Sequence, residues 1–169
     1  MPFEPSSPIS DETLLAHYAA GDPPASAELA RRLLPKVLNH ARRMLGDAAE
    51  AEDVAQEAML RLWRVAPDWR QGEAKVSTWL YRVTANLCID RMRKHRDASM
   101  QEGFDPADGG ATADEKLLQQ HRLDALQKAL NRLPDRQRQA VVLRHIDGLS
   151  NPEIAQIMNL GTRAVESLT

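Results

Sequence analysis

A chain of 169 residues can hold one ordinary domain or two small ones, and its 43% hydrophobic content excludes a chain disordered throughout. The formal net charge of −2 argues against an unaided, indiscriminate DNA binder, and no apolar run reaches the about 20 residues that a bilayer span requires. The single cysteine, Cys88, excludes an internal disulfide and a multi-cysteine zinc site; the N-terminus, MPFEPSSPIS, has neither a basic start nor an apolar segment, so a cytoplasmic protein is expected.

Every periodic segment has the helical period, which predicts an all-α protein: two small helical domains joined by a flexible acidic linker, the second ending in a helix-turn-helix. Residues 1–10 are expected to be disordered and 11–96 to form the first domain. Within it, Ser10 caps a short helix over 11–20, and Gly21-Asp22-Pro23-Pro24 turns the chain. A longer helix over 25–45 carries Pro35, which should kink or split it, and Gly46 ends it. The third helix, 48–65, puts Val54, Ala58, Leu62 and Val65 on one face and leaves Asp53, Gln56, Glu57 and Leu60 mostly elsewhere. Ala66-Pro67 closes it. A loop over 68–74 then leads to a fourth helix reaching about Arg96, with Val76, Leu80, Val83 and Leu87 as its inward stripe.

From 97 to 114 the pattern vanishes: five acids, Gly and Pro, and no basic residue read as a solvated linker. The second domain, 115–169, opens with Leu117, Leu118, Leu123, Leu126 and Leu130 at helical spacing. Pro134 begins another helix, with Ala140, Val141, Leu143 and Ile146 apolar, and Gly148 stops it. Ser150 and Glu153 form a capping box for the next short helix. The segment 150–169 is spaced like a helix-turn-helix. Ile154, Ala155 and Met158 point inward, Asn159 suits the left-handed turn, and Val165 packs on Ile154. Arg163, Glu166 and Ser167 then face outward, toward a major groove. A plain helical hairpin is the alternative.

Charge is unevenly spread. Asp47, Glu50, Glu52, Asp53 and Glu57 crowd the start of the third helix without a basic neighbour, while Arg82, Arg91, Arg93, Lys94 and Arg96 crowd the fourth against Asp90 alone. Acids at a helix start and bases at a helix end suit the macrodipole. A stripe of Asp53, Gln56, Glu57 and exposed Leu60 suits a protein interface better than water. The basic run follows Trp69 and Trp79, so base stacking and phosphate contact could cooperate. Trp63 and Trp79 are expected in the core and Trp69 exposed. His17, His40, His95, His121 and His145 lack metal spacing and read as surface or interface residues, while Cys88 reads as a small apolar packing group. With no P-loop, nucleophile elbow or paired carboxylates, the chain is expected to be no enzyme and to need no cofactor or metal.

Asp53-Val-Ala-Gln-Glu57, Ser77-Thr-Trp-Leu-Tyr-Arg82 through Asn86, the basic end at 91–96, Leu133-Pro134 and Asn151-Pro-Glu-Ile-Ala155 stand in one order. In that order and spacing the chain resembles the bacterial extracytoplasmic-function (ECF) sigma factors of the sigma-70 family, from about 11 to 169. The resemblance implies a transcription initiation factor. Asp53, Gln56, Glu57 and Leu60 would meet the clamp helices of the core RNA polymerase largest subunit. The loop over 70–76, with Trp69, Lys75, Val76 and Trp79, would receive a flipped base of the −10 element. Asn86 would lie against that element, and Arg82, Arg91, Arg93, Lys94 and Arg96 would hold its phosphates. Thr162, Arg163, Glu166 and Ser167 would meet the −35 element. The linker would thread the RNA exit path, and an anti-sigma factor would hold the protein inactive. A sigma mimic that sequesters an anti-sigma factor without binding DNA is the alternative; a stand-alone repressor leaves the acidic stripe unexplained. Asn159 and Gly161 stand where the family more often has Gly and Ser. The sequence stops at Thr169 inside the recognition helix, which reads as a truncation and predicts weakened −35 binding.

Overall fold

The computed structural model describes residues 9–102 and 115–169, and all regular structure among them is helical. In chain order come α1 (Asp11–Ala19), α2 (Pro23–Leu45), α3 (Ala48–Val65), α4 (Val76–Glu102), α5 (Glu115–Asn131), α6 (Asp135–Val141), α7 (Asn151–Met158) and α8 (Thr162–Leu168). A 3-10 turn at Ala66–Asp68 follows α3, and a π-helical stretch at Val142–Ile146 follows α6. The expected disorder of the N-terminus falls mostly on residues outside those described, as does 103–114 of the expected linker.

Local chemistry sets the helix ends. The Ser10 hydroxyl accepts from the Thr13 N–H at 3.1 Å, and the Asp47 carboxylate accepts from the Glu50 N–H at 3.1 Å. Ser150 and Glu153 cap each other's backbone reciprocally, as their spacing predicts. Gly46, at φ 69°, ends α2 in the left-handed region. Pro35 does not split α2, which runs unbroken for 23 residues. Pro35 and Arg31 are both exposed, so the carbonyl deprived of its donor lies on the solvent side, where water can serve it.

Helices α1 to α4 pack around Leu15, Leu29, Leu33, Val37, Ala58, Leu62, Val76 and Leu80. At about 1.5 to 3 kcal/mol for each large apolar side chain removed from water, this cluster holds the first unit together. Helix α4 has a second buried side. Tyr81 and Ala85 share a core with Ala140, Leu143, Ile154, Ile157, Met158 and Val165, while Cys88 and Met92 pack with Ala41, Met44, Val54, Leu130 and Val142. The second unit, α5 to α8, is therefore seated on the first.

Polar groups lock this seam. His40 Nδ1 lies 2.8 Å from Asp147 Oδ2, across 107 residues of chain, with both side chains essentially removed from solvent. His40 is thus an interface residue between the two units. The last carbonyls of α2 lack helical donors of their own. Gln127 Nε2 donates to the Arg43 carbonyl at 3.0 Å, and Arg138 donates to the Met44 carbonyl at 2.7 Å.

Helix α4 also continues to Glu102, past the end expected near Arg96. The sequence offers no Gly or Pro between Arg96 and Gly103, so nothing breaks the helix sooner. Of the α5 leucines, Leu130 is buried, whereas Leu118, Leu123 and Leu126 are exposed.

Candidate functional site

Three surfaces carry the residues singled out by the sequence. The first is the outer face of α3. Asp53 and Gln56 are exposed, Leu60 is 48% exposed, and Glu57 is half-buried with its carboxylate 3.2 Å from Arg61 Nε. Beside them an apolar groove of about 350 Å³ is lined by Ala30, Leu34, Gln56, Met59, Leu60 and Trp63. Ala30 and Leu34 come from α2 and were not predicted. The Leu33-Leu34 pair was the available signal: Leu33 is buried in the core, which turns its neighbour outward, leaving it 37% exposed. An apolar slot beside acids can seat a protein partner that presents aliphatic and basic side chains together.

The second surface is the loop before α4 and the helix itself. Trp69 is not an exposed ring. It packs half-buried on the first core, edge-on to Trp79 with centroids 6.0 Å apart, and its indole Nε1 is enclosed without a partner. Ring burial against Trp79 wins over exposure because so large an apolar surface is costly to leave in water. Val76 is fully buried, as its place in the inward stripe predicts, so its side chain adds nothing to the open surface of the loop. Lys75 is exposed, and Trp79 is half-buried against the core. A cleft of about 710 Å³ runs between the loop residues 72–75 and α7, with Asp11, Glu12, Pro152, Glu153 and Gln156 in its walls.

Along α4, Arg82, Asn86 and Arg93 are exposed, and their spacing places them on one helical face. Lys94 is exposed near them. The rest of the basic run is engaged. Arg91 lies 3.8 Å from the Asp53 carboxylate, His95 pairs with Glu50, and Arg96 pairs with Asp135 of α6. The acidic start of α3 and the basic end of α4 are therefore neighbours, because the two helices run antiparallel. Exposed pairs of this kind contribute about 0 to 1 kcal/mol each. Both patches remain open to solvent, and Asp53 and Arg91 can exchange partners at little cost.

The third surface is the α7–α8 pair. Asn159 adopts the left-handed conformation at φ 55°, and Val165 is buried in the cluster that holds Ile154. Thr162, Arg163, Glu166 and Ser167 are all exposed on α8. At the seam behind α7, burial pushes the Tyr81 phenol well above its usual pKa, with the Asp147 and Glu153 carboxylates adding to the shift. It stays neutral.

Among the described residues no group of three or more His, Cys, Asp or Glu could hold a metal ion, and no helix is long and apolar enough to cross a membrane.

Comparisons with known proteins bear on the family of the chain. Sigma-70 region 2 matches residues 29–98, and Sigma-70 region 4 matches residues 123–169. The chain is similar to the ECF RNA polymerase sigma factor SigW of Bacillus subtilis, with 36% identity covering 87% of this chain and 84% of SigW. It is also similar to the ECF sigma factor SigM of Mycobacterium tuberculosis, with 35% identity covering 94% of this chain and 78% of SigM. In fold it resembles CnrH, solved in complex with the cytosolic domain of CnrY, at a TM-score of 0.72 and 24% identity, covering 95% of this chain and 90% of CnrH. With two matched regions in this order and relatives aligned over most of their length, the chain belongs to the ECF sigma factors of the sigma-70 family.

Proposed function

We propose that this sigma factor binds core RNA polymerase through the α3 face, captures the −10 element with the 70–76 loop and α4, and reads the −35 element with α8. The observation that carries the reading is the pairing of an open apolar groove flanked by the solvent-accessible acids of α3 with an exposed basic and amide face on the antiparallel α4. The first suits a polymerase surface and the second a phosphate backbone. Promoter opening needs no covalent chemistry: unstacking costs a few kcal/mol per base, offset by holding the extruded base and its phosphates. Trp69 and Trp79 support the loop from beneath, while Lys75, Arg82, Asn86, Arg93 and Lys94 make the reachable surface. Arg91 joins them when it leaves Asp53.

The closed arrangement of the two units is a resting one in this reading. Elements named −10 and −35 lie about 25 base pairs apart, roughly 85 Å at 3.4 Å per step. Two units that share buried side chains do not reach both, so they separate on the promoter. An anti-sigma factor that grips the closed form would hold the protein inactive. The sigma factor RpoE was solved in complex with the anti-sigma factor NepR from Bartonella quintana, and CnrH in complex with the cytosolic domain of CnrY.

Reconstituting holoenzyme from core polymerase and this chain, then selecting bound fragments from a genomic library, tests the reading. Enrichment of fragments sharing two elements at fixed spacing is expected. A chain that binds core but enriches no shared sequence removes the promoter-recognition part.

A further inference from the structure

Helix α1 lies outside the segment matched as region 2, which begins at residue 29. It nevertheless holds both ends of the loop that precedes α4. The Glu12 carboxylate accepts from the Val76 N–H at 2.8 Å, across 64 residues of chain. At the other end, Gln71 Nε2 donates to the Glu12 carbonyl at 3.0 Å. Between these two tethers stand Gly72, at φ 89°, and exposed Lys75.

The need for an outside acceptor is local. Lys75 occupies the position before α4, and a lysine side chain carries donors only, so it cannot cap the helix. The first turn of α4 has no acidic residue of its own. Glu12 supplies both the missing acceptor and the negative charge that a helix start favours. Helix α1 is itself fixed. Leu14 and Leu15 are buried, and Arg32 donates to Asp11 Oδ1 at 3.2 Å and to the Ile9 carbonyl at 2.5 Å. Glu28 holds that guanidinium from the other side at 2.9 Å.

We infer that Glu12 is a positioning residue for −10 recognition: through the Val76 N–H and Gln71 it sets the shape of the base-receiving loop from an element outside region 2. This deepens the reading of the 70–76 loop given above and rests on it. Touching no base itself, Glu12 acts on discrimination between bases more than on phosphate affinity.

The test uses holoenzyme reconstituted with the full chain and a single-stranded −10 oligonucleotide from a promoter selected by the wild-type enzyme. Glu12→Ala is expected to lower discrimination between that oligonucleotide and one with a changed −10 base by about fivefold, the scale of a lost helix cap. Glu12→Gln keeps an acceptor oxygen and is expected to stay within about twofold of wild type. Core affinity and the salt dependence of binding should not move in either. Hydrogen exchange at the Val76 amide should quicken in Glu12→Ala and much less in Glu12→Gln. Unchanged discrimination in Glu12→Ala, beside a wild type that does discriminate, overturns the inference alone. Equal losses in both variants, tracking a common fall in melting temperature, also overturn it. A wild-type holoenzyme indifferent to the −10 base overturns this inference together with the reading beneath it.

Discussion

Helices α3 and α4 lie antiparallel in one bundle and share one core, yet their other sides have opposite fates. α3 leaves Gln56 and Leu60 in solvent beside the groove that Leu34 completes. α4 sends Tyr81, Ala85, Cys88 and Met92 under the second unit. The first surface is finished in the closed form, and the second is partly committed inside the chain. Under the proposed function, docking on polymerase would therefore ask for no rearrangement of α3, whereas use of both units on DNA would ask for the seam to part.

The sharpest way to break this comparison is to attack the seam. Asp147→Ala leaves buried His40 without its partner, a loss of about 1 to 3 kcal/mol for an unsatisfied buried group. The expected outcome is a larger radius of gyration by small-angle scattering and a lower unfolding midpoint, with core polymerase still bound. If the variant stays as compact as wild type, the seam does not depend on this pair.

Attacking the finished surface comes next. Leu60→Glu puts a charge in an apolar slot and should weaken core binding about thirtyfold, the scale of an interface hot spot near 2 kcal/mol. Because Leu60 is half in solvent, the melting temperature should hold. Normal core affinity in this variant would place the polymerase contact on another face.

A smaller effect tests the second unit alone. Ser150→Ala removes the capping hydroxyl of α7 and should cost about 1 kcal/mol of stability, read by denaturant titration. No change would mean that Glu153 suffices. The least effect on folding is expected from Arg93→Ala with Lys94→Ala, both exposed on α4. Folding should be untouched, while the slope of log affinity against log salt falls by about 2, near 0.9 per phosphate contact. An unaltered slope would take these residues off the DNA.

Features written within a few residues were legible in the sequence. The caps at Ser10 and Ser150, the stops at Gly46 and Gly148, the left-handed Asn159 and the α3 stripe all follow from local geometry. Features set by distant partners were not. A helix buried on two sides shows no single stripe, so the Tyr81, Ala85, Cys88 and Met92 side of α4 was hidden behind the Val76, Leu80, Val83 and Leu87 stripe. Trp69 was expected in solvent because its neighbours are polar, and only the fold brings Trp79 beneath it. The His40–Asp147, Asp53–Arg91 and Glu12–Val76 contacts join residues whose nearness no periodicity announces.

Cys88 turns this seam into something that can be watched. It is the chain's one thiol, the buried cluster it belongs to is drawn from both units, and burial pushes its pKa up to about 12. At pH 8 almost none of it is thiolate, and alkylation of the closed protein should be slow. Parting the units brings water to one side of the sulfur, lowers its pKa and speeds labelling. The native chain thus carries its own unlabelled clock for opening, and its rate can be compared for the free protein, on core polymerase and on promoter DNA.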